Sequence, residues 1–402
     1  MKDILLLFLM LKITGLLSQN IEIGASVALK VHLDDLRSKK LGLVVNQTSM
    51  IGNTHLVDTL LKLGCHITAI FAPEHGFRGD ADAGAHIQDG VDIQTGIIIY
   101  SLFGKTLKPT PQMLSNVDIV LFDIQDIGAR FYTYISTLSL VMEACAEQDK
   151  EIWVLDRPNP NGSVVAGPVL EKGFSSFVGK HEVPILHGLT IAEYANMVNG
   201  EGWLKNGLRC RLKLILMKKW HHSMQWEETG LKWTKPSPNI PDVKTAMWYP
   251  YVCWFEGVLV SVGRGTYKPF LFLGAPYIDN KTLVHLRGLY DLDTVRFTPM
   301  SIKGMAIRPP FELQTCKGIA VNSPPISPHE CFELSLELLT LFYQNSGKRA
   351  DFFQPFFIKL CGTDKIKTDI IAGKKPEEII LSWQYQLREY EKIRKNYLLY
   401  EE

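Results

Sequence analysis

Apolar residues in the first half of the chain fall into short unbroken runs separated by stretches of helical spacing. Leu41-Gly42-Leu43-Val44-Val45, His66 to Phe71, Gly96 to Tyr100, Asp118 to Phe122 and Glu151 to Leu155 read as buried strands. Helices are expected near 54–63, 110–116 and 133–149. Continuous apolar strands alternating with helices predict a parallel sheet covered on both faces, an α/β fold. A further helix opens at Thr190-Ile191-Ala192-Glu193, where Thr and Glu can satisfy each other's orphan backbone donors in a capping box.

The second half is less regular. Pro236-Ser237-Pro238-Asn239-Ile240-Pro241 predicts a rigid connector or an ordered loop. It places a domain boundary within 225–245, set here between 235 and 236. Mixed strands follow, then two helices that begin at prolines, a residue suited to the first helical position. One starts at Pro328 and puts Cys331, Leu334, Leu338 and Leu341 on one face; the other starts at Pro376 and carries Ile379, Ile380, Trp383, Leu387 and Tyr390. The expectation is an α/β domain over 20–235 and a smaller mixed α+β domain over 236–402.

The N-terminus departs from this pattern. Ile4 to Met10 is an apolar run followed by Lys12 and the milder stretch Ile13 to Leu17. It is too short to span a bilayer and fits the apolar region of a secretory signal, with Ser18-Gln19-Asn20 at the cleavage region. Residues 1–19 are therefore expected to be a signal peptide, the protein exported to a periplasm or secreted, and stable membrane insertion is not expected. A buried N-terminal helix is the competing reading, favoured by Lys12. The formal net charge of +1 gives no electrostatic footprint for nucleic acid or an anionic membrane. Seven cysteines are scattered without a C-x-x-C pair, which supports neither a zinc knuckle nor a thioredoxin-type motif; buried free thiols are expected.

Polar residues gather after the predicted strands. Asn46-Gln47-Thr48 follows the first, Pro73-Glu74-His75-Gly76-Phe77-Arg78-Gly79 the second, Asp123-Ile124-Gln125-Asp126-Ile127-Gly128-Ala129-Arg130 the fourth, and Asp156-Arg157-Pro158-Asn159 the fifth. Open parallel sheets bind ligands beyond the carboxyl ends of their strands, so these clusters predict one shared cleft. The motifs G-x-G-x-x-G after the first strand, G-x-x-x-x-G-K-[ST] and G-x-S-x-G are missing, and no cofactor is expected. His75, Asp80, Asp82 and His86 could be drawn as a metal cluster, but their spacing matches no standard ligand motif, and no metal is expected. What remains is carboxylates beside cations, the equipment of general acid–base chemistry, glycoside cleavage included.

The stretches Pro73 to Gly79 and Phe122 to Tyr134 resemble the signatures of the exo-β-N-acetylmuramidase (NamZ) family. So do Leu155 to Gly162, Pro236-Ser237-Pro238-Asn239, Phe255-Glu256-Gly257, Ser261 to Thr266, Ser382-Trp383 and Tyr397 to Tyr400, in order along nearly the whole chain after Leu41. The family's first motif usually continues Asn-Gln-Thr-Gly; Ser49 stands in place of that glycine. The resemblance implies a Rossmann-like catalytic domain with a smaller C-terminal domain. It implies release of N-acetylmuramic acid from non-reducing ends of peptidoglycan fragments, and Glu74 as the catalytic carboxylate. The competing role for Glu74 is a structural pairing with Arg78.

Asp126 is taken as the second catalytic carboxylate over Asp123 because it lies further out on its loop. Arg78, Arg130, Arg157 and Arg264 are candidates to hold the lactyl carboxylate of muramic acid, since a guanidinium grips a carboxylate bidentately. Asn46, His75, Asp123, Tyr132, Asn159 and Glu256 complete the expected substrate contacts. Among Trp248, Tyr249, Trp254 and Phe255, most are expected in the aromatic core and some as sugar-stacking faces. A non-catalytic cell-wall sugar receptor would use the same cleft and is the alternative function.

Overall fold

A computed structural model describes residues 20–78, 89–283, 290–325 and 327–402. The expected signal peptide at 1–19, and Asp80, Asp82 and His86, lie outside the described residues. The main sheet has seven strands: β1 (Lys40–Val45), β2 (His66–Ala72), β3 (Gly90–Val91), β4 (Ile98–Ser101), β5 (Ile119–Asp123), β6 (Glu151–Leu155) and β7 (Arg211–Ile215). Their order is β7-β6-β5-β1-β2-β4-β3. All pairs are parallel except β3 against β4 at one edge.

The continuous apolar runs make sense because both faces are covered. Leu41, Leu43 and Val45 of β1 enter one core with Leu121, Trp153 and Leu155. Helices Gly24–Val31 and Leu56–Lys62 close that core with Ala25, Val27, Leu56 and Leu60. Val44, Phe71, Phe122 and Val154 point to the opposite face, against helices Tyr134–Glu147 and Ile191–Gly200. The capping box at Thr190 forms as expected: its hydroxyl accepts from Glu193 N at 3.2 Å, and the Glu193 carboxylate accepts from Thr190 N at 2.8 Å.

In the second half a three-stranded antiparallel sheet places Cys316–Val321 between Phe272–Ala275 and Leu292–Phe297. Helix Pro328–Asn345 buries Cys331, Leu334, Leu338 and Leu341 as its spacing predicts. The helix expected from Pro376 is two helices, Pro376–Ser382 and Gln384–Arg394, hinged at Trp383. The larger hydrophobic core runs without a break from sheet residues such as Phe122 to Tyr251, Phe332 and Trp383 of the second half. All seven cysteines are buried free thiols.

Candidate active site

A tight turn directly after β2 presents Glu74. Gly76 N donates to Pro73 O at 3.1 Å, and His75 and Gly76 adopt φ of 73° and 79°. A left-handed conformation is ordinary for glycine but strained for histidine, and such strain is characteristic of functional turns. The Glu74 carboxylate is half-buried and accepts a hydrogen bond from Thr133 Oγ1 at 2.9 Å. Thr133 is the N-cap of helix Tyr134–Glu147, yet its hydroxyl caps no backbone donor of that helix. The side chain that could have served the helix serves Glu74 instead.

Glu74 opens onto a cavity of about 280 Å³ whose wall includes His75, Tyr132, Tyr249, Asn239, Glu256 and Arg264. Tyr132 packs edge-on against Tyr134 and Tyr249, with ring centroids 5.0 and 5.6 Å apart. Burial pushes the Tyr132 and Tyr249 phenols well up, so both stay neutral hydroxyls. Across the cavity Arg264 Nη1 donates to Glu256 Oε1 at 2.6 Å. Burial alone would lower the Arg264 pKa, but the Glu256 charge outweighs it and holds the guanidinium more firmly protonated. The other N–H groups of Arg264 donate to no described residue. Asn239 donates through Nδ2 to Met305 O at 2.7 Å, while its buried Oδ1 has no partner among the described residues. A buried acceptor left open in a cavity wall expects a ligand or a water.

The structure brings Glu74, His75, Tyr132, Glu256 and Arg264 together and puts the other expected contacts elsewhere. Arg78 pairs with Asp92 at 3.1 Å and lies 3.7 Å from Asp58, not on Glu74, and covers the Phe77 ring. Arg130 is fully buried and donates to the carbonyls of Pro168, Val183, Leu360 and Cys361. Asp123 and Arg157 form a buried two-bond ion pair at 2.5 and 2.9 Å. Asn159 braces its loop by accepting from Asn161 N and donating to Leu189 O. Asn46 is buried in the turn after β1, its Oδ1 accepting from Thr48 N and Oγ1. In that turn Ser49 accepts from Asn46 N and donates to Asp123 O, a tie that glycine at this position could not make.

Asp126 is not out on its loop. It is 7% exposed, between the fully buried Ile124 and Ile127, and does not line the cavity. Its Oδ2 accepts from Gly128 N at 2.7 Å, and burial raises its pKa to about 7. Trp254 and Phe255 belong to the aromatic core; Tyr249 is the one of the four aromatic candidates that reaches the cavity. Thr133, Ser237 and Asn239 also line the cavity and were not among the expected contacts, although each lies inside a motif noted above. Among the described residues no cluster of three or more His, Cys, Asp or Glu is arranged to hold a metal, and no helix is long and apolar enough to cross a membrane.

Six parallel strands in the Rossmann order, with two glutamates and an arginine facing one cavity near their carboxyl edge, define a Rossmann-like α/β protein with a carboxylate-bearing ligand site. The chain belongs to the exo-beta-N-acetylmuramidase NamZ family, whose N-terminal domain matches residues 41–244 and whose C-terminal domain matches residues 247–400. It is 37% identical to the peptidoglycan beta-N-acetylmuramidase NamZ of Bacillus subtilis over 389 residues, 94% of this chain and 91% of that one. Two crystal structures of DUF1343 family proteins from Bacteroides fragilis share the fold. One has a TM-score of 0.82 at 38% identity and the other 0.84 at 31%; each match covers 95% of this chain and 99% of the other.

Proposed function

We propose that this protein is an exo-acting glycosidase that releases terminal N-acetylmuramic acid from the non-reducing ends of peptidoglycan fragments, serving cell-wall turnover. The observation that carries the reading is Glu74, held by Thr133 on a strained turn and lining one cavity of about 280 Å³ with Glu256 and Arg264. As general acid, Glu74 gives its proton to the glycosidic oxygen while the bond from that oxygen to the anomeric carbon breaks. Water supplies the hydroxyl of the released sugar. Among the described residues Glu256 is the other carboxylate lining the cavity, and it takes the second role instead of Asp126. The free edge of Arg264 receives the lactyl carboxylate, and Asn239 Oδ1 accepts from a sugar N–H or hydroxyl.

In this reading residues 1–19 direct export to the periplasm or medium, residues 20–235 carry the sheet and Glu74, and residues 236–402 complete the cavity. The test is Glu74→Gln, which keeps the side chain's size and removes its titrating proton. Release of N-acetylmuramic acid from a muramic-acid-terminated disaccharide is expected to fall by about 10²–10⁴-fold, the usual share of acid–base assistance. The loss is expected to shrink with an activated aryl glycoside, whose leaving group needs little protonation. A folded variant with parental rates on the disaccharide would remove Glu74 from the mechanism. A parental protein that binds the disaccharide and returns it intact would be a receptor.

A further inference from the structure

The site that the sheet topology itself favours for a ligand is not the Glu74 cavity. Strand order reverses between β1 and β5, and open parallel sheets bind ligands beyond the carboxyl ends of the strands at that reversal. There the structure has a second cavity of about 570 Å³, lined among others by Thr48, Met50, Gln125, Arg157, Trp226 and Lys232. Thr48 and Met50 follow β1, Gln125 follows β5, and Arg157 follows β6. The volume lies within the range of about 300–1,000 Å³ usual for small-molecule sites.

Two nearly buried side chains each keep a polar atom open at this site. Arg157 is 6% exposed and donates through Nε and Nη2 to Asp123, and through Nη2 to Met50 O. Its Nη1 donates to no described residue. Gln125 is 4% exposed and donates through Nε2 to the carbonyls of Asp126 and Pro158, while its Oε1 accepts from no described residue. Lys232 adds an exposed ammonium, and no carboxylate is among the lining residues. Gln47, next to Thr48, donates through Nε2 to Pro236 O, and so does the hydroxyl of Tyr134, which lines the Glu74 cavity.

We propose that this cavity is a second, non-catalytic binding site for a small carboxylate-bearing sugar. Arg157 Nη1 and the Lys232 ammonium meet the carboxylate, and Gln125 Oε1 accepts from a ring hydroxyl. N-acetylmuramic acid belongs to this class, and its choice as probe rests on the glycosidase reading above. Isothermal titration of the purified protein with N-acetylmuramic acid is expected to fill two sites. N-acetylglucosamine, without the carboxylate, is expected to leave the second site empty. Lys232→Glu changes an exposed residue; it is expected to weaken the second site at least tenfold while leaving the first site, and turnover of a muramic acid glycoside, unchanged. A single equivalent of N-acetylmuramic acid that persists in Lys232→Glu, or two equivalents indifferent to Lys232→Glu, would overturn the proposal. Inorganic phosphate binding the second site more tightly than N-acetylmuramic acid would overturn the sugar assignment. Absence of glycoside turnover would sink the glycosidase reading alone, because this readout is a binding stoichiometry.

Discussion

Arg264→Lys separates recognition of the substrate carboxylate from upkeep of the cavity. Arg264 places Nη1 on Glu256 at 2.6 Å and leaves its remaining donors without described partners. A lysine ammonium can keep the Glu256 pair, but as a compact point charge it cannot also present a second edge to a carboxylate. The lost interaction is one hydrogen bond between charged groups in a site where Arg264 is 24% exposed. Such a bond contributes about 1.5–3 kcal/mol, which converts to roughly 10–150-fold in kcat/KM. The assay compares chromogenic glycosides of N-acetylmuramic acid and N-acetylglucosamine on the parent and the variant. The muramic acid glycoside is expected to lose that factor, mostly through KM, while turnover of the glucosamine glycoside is expected to stay at its parental level. Equal losses on both glycosides would make Arg264 a brace for Glu256 and refute the reasoning, and so would no loss on either.

Three further outcomes follow from contacts already described. Asp123→Asn and Arg157→Met each break a buried ion pair by removing one partner, so each is expected to destabilise the protein by about 3–5 kcal/mol in urea denaturation. A folded variant of either kind with unchanged stability would mean that the pair is not structural. Asp126 has its folded pKa raised by burial from 3.8 to about 7, so the folded state holds a proton that the unfolded chain releases. Its contribution to stability is full below about pH 4 and is lost as pH rises through about 7. Asp126→Asn is expected to narrow the stability difference between pH 5 and pH 8 by about 1–3 kcal/mol; an unchanged difference would place the Asp126 carboxylate in water. For export, mass spectrometry of the native protein is expected to find a mature chain beginning near residue 19 or 20, and an intact Met1 end in the cytosol would contradict it.

Most of the sheet was legible because strands buried on both faces leave unbroken apolar runs, as Leu41 to Val45 and Ile152 to Leu155 do. Strands β3 and β7 were not: Gly90 and Val91 are exposed at one edge and leave no apolar signal, and at the other edge Arg211 and Lys213 interrupt the apolar residues of β7. The break at Trp383 was equally silent: Ile379, Ile380, Trp383, Leu387 and Tyr390 keep a helical spacing across it. In the site, Glu74 was reached through its motif, but the arginines could not be told apart by type. Their roles depend on partners far away in sequence, such as the carbonyls of Leu360 and Cys361 for Arg130. Asp126 was misplaced for a local reason: flanking Ile124 and Ile127 mark its loop as one that dives into the core.

Arg130 has a consequence for recombination between relatives. It leaves the end of one sequence motif and binds four carbonyls, two of them on the last two residues of helix Pro355–Cys361. Gly362 follows at a φ of 72°, and a Cβ there would meet the Arg130 guanidinium at 3.0 Å. A chimera spliced near residue 245 therefore inherits a bolt from one parent and its socket from the other. It is expected to fold only where the donor of the second half supplies a glycine and the same carbonyl path at that corner. Shuffled libraries of this family should accordingly be rich in survivors that take residues 122–134 and 355–362 from a single parent, wherever else their crossovers fall.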